Sequence, residues 1–196
     1  DAALIVGPTP GGIMVEAALE QGFMAEGVEP SKWLQQIAQK NGLPVIQDVF
    51  PNQKTQGPYD IISLIDVIEH VIAPGKLLAE IHSALDKNGI MVLVTPDVNS
   101  FIARILRYKW WHFRIAHIGY FNKNNLSVLL KKTGFEIIRI GRPSCNFSAK
   151  YLTVRFFSFL PKFLRIPLPK VLDRITLRIN LKDSMLVVCK KISTNA

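Results

Sequence analysis

Three short segments hold the residues whose types and spacing could do chemistry. The first is the turn Gly7-Pro8-Thr9-Pro10-Gly11-Gly12, which follows an apolar run and opens a helical stretch, with Glu29 closing the next apolar run. Such a turn lets a ligand approach backbone N–H groups at a helix start, and an acid ending the second strand can hold ribose hydroxyls. The pair predicts nucleotide binding. A Gly-x-Gly-x-x-Gly fingerprint is not met, because Thr9 stands at its middle glycine, which argues against a nicotinamide cofactor. The second segment is Asp66-x-x-Glu69-His70, whose spacing can set three oxygen and imidazole ligands for a divalent metal on one helical face. The preferred reading is plainer: acids at a helix start favour its dipole, and His70 bonds a backbone carbonyl. The third is His117, an imidazole able to take a proton near neutral pH. His82, by contrast, falls mid-helix and reads as surface or core.

These residues need elements to position them. Ala3 to Val6 and Phe23 to Val28 are apolar runs of strand type, with a helical stretch between them. Ser31 can cap a helix with Leu34, Ile37 and Ala38 on one face, ended by Asn41-Gly42. A short strand is expected near Pro44 to Val49, then a polar turn region, then a buried strand from Tyr59 to Ile65. Pro74 opens a helix with Leu77, Leu78, Ile81 and Leu85 at helical spacing, closed by Gly89, and Ile90 to Val94 is the next strand. Leu126, Leu129 and Leu130 mark a further helix, Phe135 to Ile140 a sixth strand, and Met185 to Cys189 a last one. This alternation predicts a doubly wound α/β fold with a mainly parallel sheet.

Composition sets the outer limits. With 196 residues, 48% hydrophobic and 20% charged, the chain suits a single domain over 1–196 with a full core. Cys145 and Cys189 are far apart, outside any Cys-x-x-Cys or Cys/His cluster, which argues against a disulfide framework or a zinc site and fits a reducing, cytoplasmic setting. The sequence has neither an apolar stretch long enough to span a membrane nor a signal-peptide pattern. A start at Asp1, without Met and almost directly in a strand, implies a preceding N-terminal helix or cap. Residues 1–138 carry 12 Lys+Arg against 13 Asp+Glu and residues 139–196 carry 12 against 2, so the net +9 belongs to the C-terminal stretch.

Taken together the segments resemble class I S-adenosylmethionine-dependent methyltransferases, in particular the ubiquinone-biosynthesis O-methyltransferases. The resemblance runs from Leu4 to about Ile140. It rests on the glycine turn, Gly27-Val28-Glu29-Pro30-Ser31, Tyr59-Asp60-Ile61-Ile62, Asp66-Val67-Ile68-Glu69-His70-Val71, Leu85-Asp86-Lys87-Asn88-Gly89, and His117 to Phe121 before a helix and Gly134-Phe135. It implies a Rossmann-like seven-stranded sheet whose last, antiparallel strand is Met185 to Cys189. It also implies S-adenosylmethionine across the carboxyl ends of the first, second and fourth strands. On this footing Gly7 and Gly11 are turn glycines beside the methionine part, Glu29 the ribose acid, Asp48 and Val49 the adenine edge, and Ile65 a contact ending the fourth strand. Ile5 and Thr9 depart from the family's turn, which has an acid and a second glycine there.

Methyl transfer is an in-line displacement in which the protein mainly aligns groups and excludes water. For a hydroxyl acceptor an imidazole base would serve, and the resemblance makes His117 and His70 the catalytic candidates. Related quinone enzymes use an acid-x-x-Glu-His pattern for a divalent metal, the possibility carried here by Asp66, Glu69 and His70. Trp110, Trp111 and Phe113 suit an acceptor pocket or lid, and equally a packed core. Residues 149–181 depart from the compact core and read as an inserted, basic, lid-like segment. Its stripe of Leu152, Phe156, Phe159, Leu160 and Phe163 is compatible with peripheral contact to an anionic membrane. Nucleic acid is disfavoured as a partner, since no RNA-binding module is recognisable. The expectation is a methyltransferase for a small-molecule acceptor, a hydroxyl of a hydrophobic, lipid-linked or saccharide-type substrate. The alternative is a non-catalytic module binding a membrane or protein partner through its basic C-terminal region, and cofactor affinity that depends on Glu29 separates the two.

Overall fold

Alternate residues of a strand face opposite sides of a sheet, and the first strand shows what that requires of its neighbours. In β1 (Ala2–Val6), Leu4 and Val6 enter one apolar cluster while Ala3 and Ile5 enter another. Both faces must therefore be covered by helices. A computed structural model describes residues 1–7, 12–55, 57–157 and 175–192 and shows this arrangement. On one face α1 (Ile13–Glu20) and α2 (Lys32–Lys40) bring Val15 and Ala38 against Ile5, Ala25 and Val45. On the other, α3 (Pro74–Ala84) and α5 (Lys123–Lys132) bring Leu77, Leu78, Ile81, Leu126 and Leu130 against Leu4, Ile62, Leu64, Met91 and Leu93.

The sheet has seven strands in the order β3-β2-β1-β4-β5-β9-β6. They are β1, β2 (Met24–Val28), β3 (Val45–Ile46), β4 (Tyr59–Ile65), β5 (Leu85–Pro96), β6 (Phe135–Gly141) and β9 (Ser184–Lys191). β1 to β5 pair in parallel, and β9 lies antiparallel between β5 and β6, with Val92 opposite Val188 and Ile140 opposite Val187. The expected Rossmann-like methyltransferase sheet, antiparallel last strand included, is the one found. Strand order reverses between β1 and β4, and a crevice at the carboxyl ends of strands on either side of such a switch is where open α/β sheets bind ligands.

Local signals explain several boundaries. Ser31 caps α2, its hydroxyl accepting from the Leu34 N–H at 3.4 Å, and Pro74 stands at the first turn of α3. Three expectations are corrected. The strand expected near Pro44 to Val49 is only Val45–Ile46, because Asp48 bonds the Val49 N–H and starts a turn. The helix expected to close at Gly89 ends at Ala84, since Leu85 is already extended and paired with Tyr59 across an irregular register. Asp66, Glu69 and His70 do not share a helical face: Asp66 has φ 52, and only a three-residue 3-10 turn, Ile68–His70, follows.

Between β6 and β9 the chain forms β7 (Cys145–Ser148), α6 (Ala149–Phe157) and β8 (Thr176–Ile179), with β7 and β8 paired antiparallel. α4 (Phe101–Leu106) completes the set of helices named here. The expected insertion at 149–181 thus follows directly on β7 and includes α6 and β8, while much of its apolar stripe (Phe159, Leu160 and Phe163) lies outside the described residues. Cys189 is a free, buried thiol, pushed by desolvation up to about 12. Among the described residues no helix is long and apolar enough to cross a membrane.

Candidate active site

The loops leaving β1, β2, β3 and β4 meet at the carboxyl edge of the sheet around a cavity of about 640 Å³. Its wall includes Val6, Gly7, Val28, Asp48, Val49, Phe50, Asp66, Val67, His70 and Val71, and it continues onto α3 at Lys76, Leu77 and Glu80. Gly7 has φ 124, and a Cβ there would meet the Val67 side chain and come within 2.9 Å of the Ile65 carbonyl oxygen. Only glycine passes the chain through so tight a place beside the cavity. Thr9 and Gly11, the other turn candidates, lie outside the described residues.

Glu29 ends β2 and is buried, 4% exposed. Its backbone N–H donates to the Ile46 carbonyl at 3.0 Å, and its Oε1 accepts from the Ser31 N–H at 2.7 Å. Oε2 is buried with no partner among the described residues. Burial raises the carboxyl above its ordinary range, opposed by the Ser31 bond. A buried carboxylate oxygen left unpartnered is costly unless a ligand's donor meets it. Glu29 opens on a narrow hollow of about 10 Å³ that shares Gly7 and Val28 with the main cavity. Asp48 accepts from the Val49 N–H at 2.9 Å and pairs with Lys54 at 3.2 Å, and these hold it below the usual carboxylate range, the backbone bond first. Ile65 ends β4 half-buried but does not line the cavity.

The second group lies beyond His70. Its Nδ1 faces the Ala116 carbonyl at 2.8 Å, and its ring meets that of His117 edge-on with centroids 4.7 Å apart. The backbone N–H groups of Ile118 and Gly119 both donate to the Glu69 carbonyl at 2.9 Å, which fixes the His117 loop against the turn after β4. His117 is 8% exposed, and its Nδ1 is buried without a partner among the described residues. Desolvation, helped by the charges of His70, His112 and Arg114, lowers it to about 4, so the ring is neutral at pH 7. Glu69, 1% exposed, accepts from the Thr95 hydroxyl at 2.9 Å through Oε2 and leaves Oε1 unpartnered among the described residues; burial, then the charge of Asp66, raises it. Burial likewise raises Asp66, against the opposing charges of His112, His70 and Arg114.

Ligand atoms of Glu69, His70 and His117 lie within 4.8 Å of one another, so this trio, rather than Asp66 with Glu69 and His70, is the grouping able to hold a metal among the described residues. His70 fits such a role: if Nδ1 carries the proton toward Ala116, Nε2 keeps a free lone pair. His112 and Asp183 were not singled out from the sequence. The His112 ring stacks on His117 at 5.8 Å, and its Nε2 faces Asp183 at 3.4 Å. Burial would raise Asp183, but its His112 contacts outweigh this and hold it low. A usable signal existed, since Asp183 is one of two acids among the 12 cations of residues 139–196. Trp110 is fully buried and packs its ring on His112 and Phe113, which makes it core rather than lid.

Comparison with known proteins agrees with this layout. A family profile described as a methyltransferase domain matches residues 6–140. Curated proteins yield no match. Among solved structures, an S-adenosylmethionine-dependent methyltransferase from Thermotoga maritima is 20% identical with a TM-score of 0.62, over 97% of this chain and 82% of that one. Another from Archaeoglobus fulgidus is 16% identical with a TM-score of 0.65, over 97% and 86%. The 1,6-didemethyltoxoflavin-N1-methyltransferase of Burkholderia thailandensis, solved with 1,6-didemethyltoxoflavin and S-adenosylhomocysteine, is 16% identical with a TM-score of 0.59, over 97% and 71%. At such identities these structures share the fold alone. The family profile spans more than half of the sequence, and the chain belongs to the methyltransferase-domain family, enzymes that use S-adenosylmethionine.

Proposed function

We propose that the protein methylates a hydroxyl group of a small hydrophobic, lipid-linked or saccharide-type acceptor, with His117 as the base. The observation that carries this reading is the position of His117: buried, with Nδ1 unpartnered among the described residues, and joined through His70 to the cavity wall. Glu29 supports the cofactor end, because its unpartnered Oε2 suits a ribose hydroxyl donor beside the cavity. Bound there, S-adenosylmethionine supplies an electrophilic methyl group. The chain's own residues do the rest: Glu29 holds, Gly7 admits close approach, the apolar wall excludes water, and His117 takes the proton that the hydroxyl loses. Asp48 and Val49 line the end where the adenine edge is expected, and the sequence resemblance to ubiquinone-biosynthesis O-methyltransferases favours an oxygen acceptor.

The test is turnover against a panel of hydroxyl- and amine-bearing acceptors with labelled methyl donor, using His117→Gln. Turnover on a hydroxyl acceptor should fall by roughly 10²–10⁴-fold, with affinity for S-adenosylhomocysteine unchanged. Turnover confined to amines, or loss of both properties, sinks the assignment. The trio Glu69, His70 and His117 favours a second reading, in which a divalent cation lowers the pKa of the acceptor hydroxyl instead. Zinc or magnesium raising the melting temperature of the wild type but not of Glu69→Gln would support it.

A further inference from the structure

We propose that the surface of residues 101–118 docks the protein on an anionic lipid bilayer. Phe101 and Ile105 stand four residues apart on one face of α4 and are 76% and 61% exposed, and Tyr108 just beyond is 80% exposed. Exposed Arg104, Arg107, Lys109 and Arg114 are interleaved with them. From residue 98 to residue 135 the chain contains no Asp or Glu. The neighbouring acids are turned inward: Asp97 is buried and pairs with Arg142 at 2.6 Å, Asp183 faces His112, and Glu69 is buried. Asp66 interacts with Arg114, but the surface otherwise joins apolar side chains to the exposed cations Arg104, Arg107 and Lys109.

A membrane interface satisfies both halves of that pattern at once. Apolar side chains enter the boundary between headgroups and acyl chains, while guanidinium and ammonium groups reach lipid phosphates. None of Phe101, Ile105 or Tyr108 lines the cavity, so an acceptor or cofactor in the cavity leaves them uncovered. Ile72, Ile115 and Ile118 are also exposed, and the bonds from Ile118 and Gly119 to Glu69, with that of His70 to Ala116, hold them around the His117 loop. Docking would set the His117 loop, whose His117 ring contacts the cavity-lining His70, against the bilayer, which deepens the proposed function by making the acceptor one that partitions into lipid. A lipid-partitioning acceptor rests on the methyltransfer reading; the docking itself does not.

The experiment is co-sedimentation of the full chain with vesicles of phosphatidylcholine alone or mixed with phosphatidylserine. Phe101→Ser/Ile105→Ser and Arg104→Glu/Arg107→Glu are compared with wild type, and S-adenosylhomocysteine affinity is measured on each. Wild type should bind the mixed vesicles and not phosphatidylcholine alone, and each double variant should bind at least tenfold less with cofactor affinity kept. No sedimentation by wild type overturns the proposal. So does binding unchanged in both variants, which would assign contact to the 149–181 segment, or a labelled single-stranded RNA that binds more tightly than vesicles and depends on the same residues. A chain that docks but fails to bind S-adenosylhomocysteine would refute the enzymatic reading alone.

Discussion

Replacing Glu29 by glutamine removes one charge and almost no volume, so it separates what the carboxylate does for a ligand from what it does for the fold. Oε1 accepts from the Ser31 N–H and Oε2 has no partner among the described residues, while burial raises the carboxyl above its ordinary range. A folded-state pKa above the unfolded one means that the folded chain holds its proton more firmly. The stability Glu29 contributes is therefore fully present below its unfolded value and is lost as pH rises through the folded one. At neutral pH the glutamine variant should melt no lower than wild type. Binding should move the other way. Hydrogen bonds to a charged acceptor are worth about 1.5–3 kcal/mol, so the dissociation constant for S-adenosylhomocysteine should rise roughly 10- to 150-fold. Wild-type affinity should also weaken as pH falls through the raised pKa, a dependence absent from the variant. Isothermal titration at several pH values, with melting curves on both proteins, reads all of this. Unchanged affinity in a folded variant refutes the role assigned to Oε2, and a clear drop in melting temperature makes Glu29 structural.

Three further predictions follow from other parts of the site. His117 is lowered to about 4, below the unfolded value near 6.5, so protons favour the unfolded chain and stability should fall as pH drops from 6.5 toward 4; His117→Gln should flatten that interval in denaturant titrations. Arg142→Ala leaves the buried Asp97 carboxylate without its 2.6 Å partner and should cost about 1.5–3 kcal/mol of stability, read from urea midpoints, with an unchanged midpoint contradicting the pair's role. Gly7→Ala puts a Cβ against Val67 and the Ile65 carbonyl at φ 124, and should both lower the melting temperature and abolish cofactor binding by calorimetry; wild-type affinity would show that the turn relaxes freely.

What the sequence revealed was local. Ser31 reads as a helix cap because its hydroxyl reaches only three residues ahead, and Glu29 reads as a strand-ending acid because its strand and turn are contiguous with it. Even β9 was legible, as an apolar run fitting the last place in the sheet. The His117 environment was not. It depends on Glu69, His70 and Asp183, which arrive from two other loops, and no periodicity links positions so distant. The 3-10 turn escaped for the opposite reason: one residue, Asp66 at φ 52, breaks a spacing that alone suggests a helix.

The place of β9 has a consequence for how the sheet is assembled. Among the described residues β6 has no pairing with β5 and joins the sheet through β9, which separates them. During synthesis, the five parallel strands can close on α1, α2 and α3 while β6 waits with Phe135 and Ile137 unshielded, until residues 184–191 slide in between. Long-range pairings of this kind form slowly and leave apolar edges open in the interval. The chain should therefore pass through a stage in which a five-stranded half-sheet is complete and its outer edge still takes in a strand, and that edge is the place where a second copy of the same chain could pair in error.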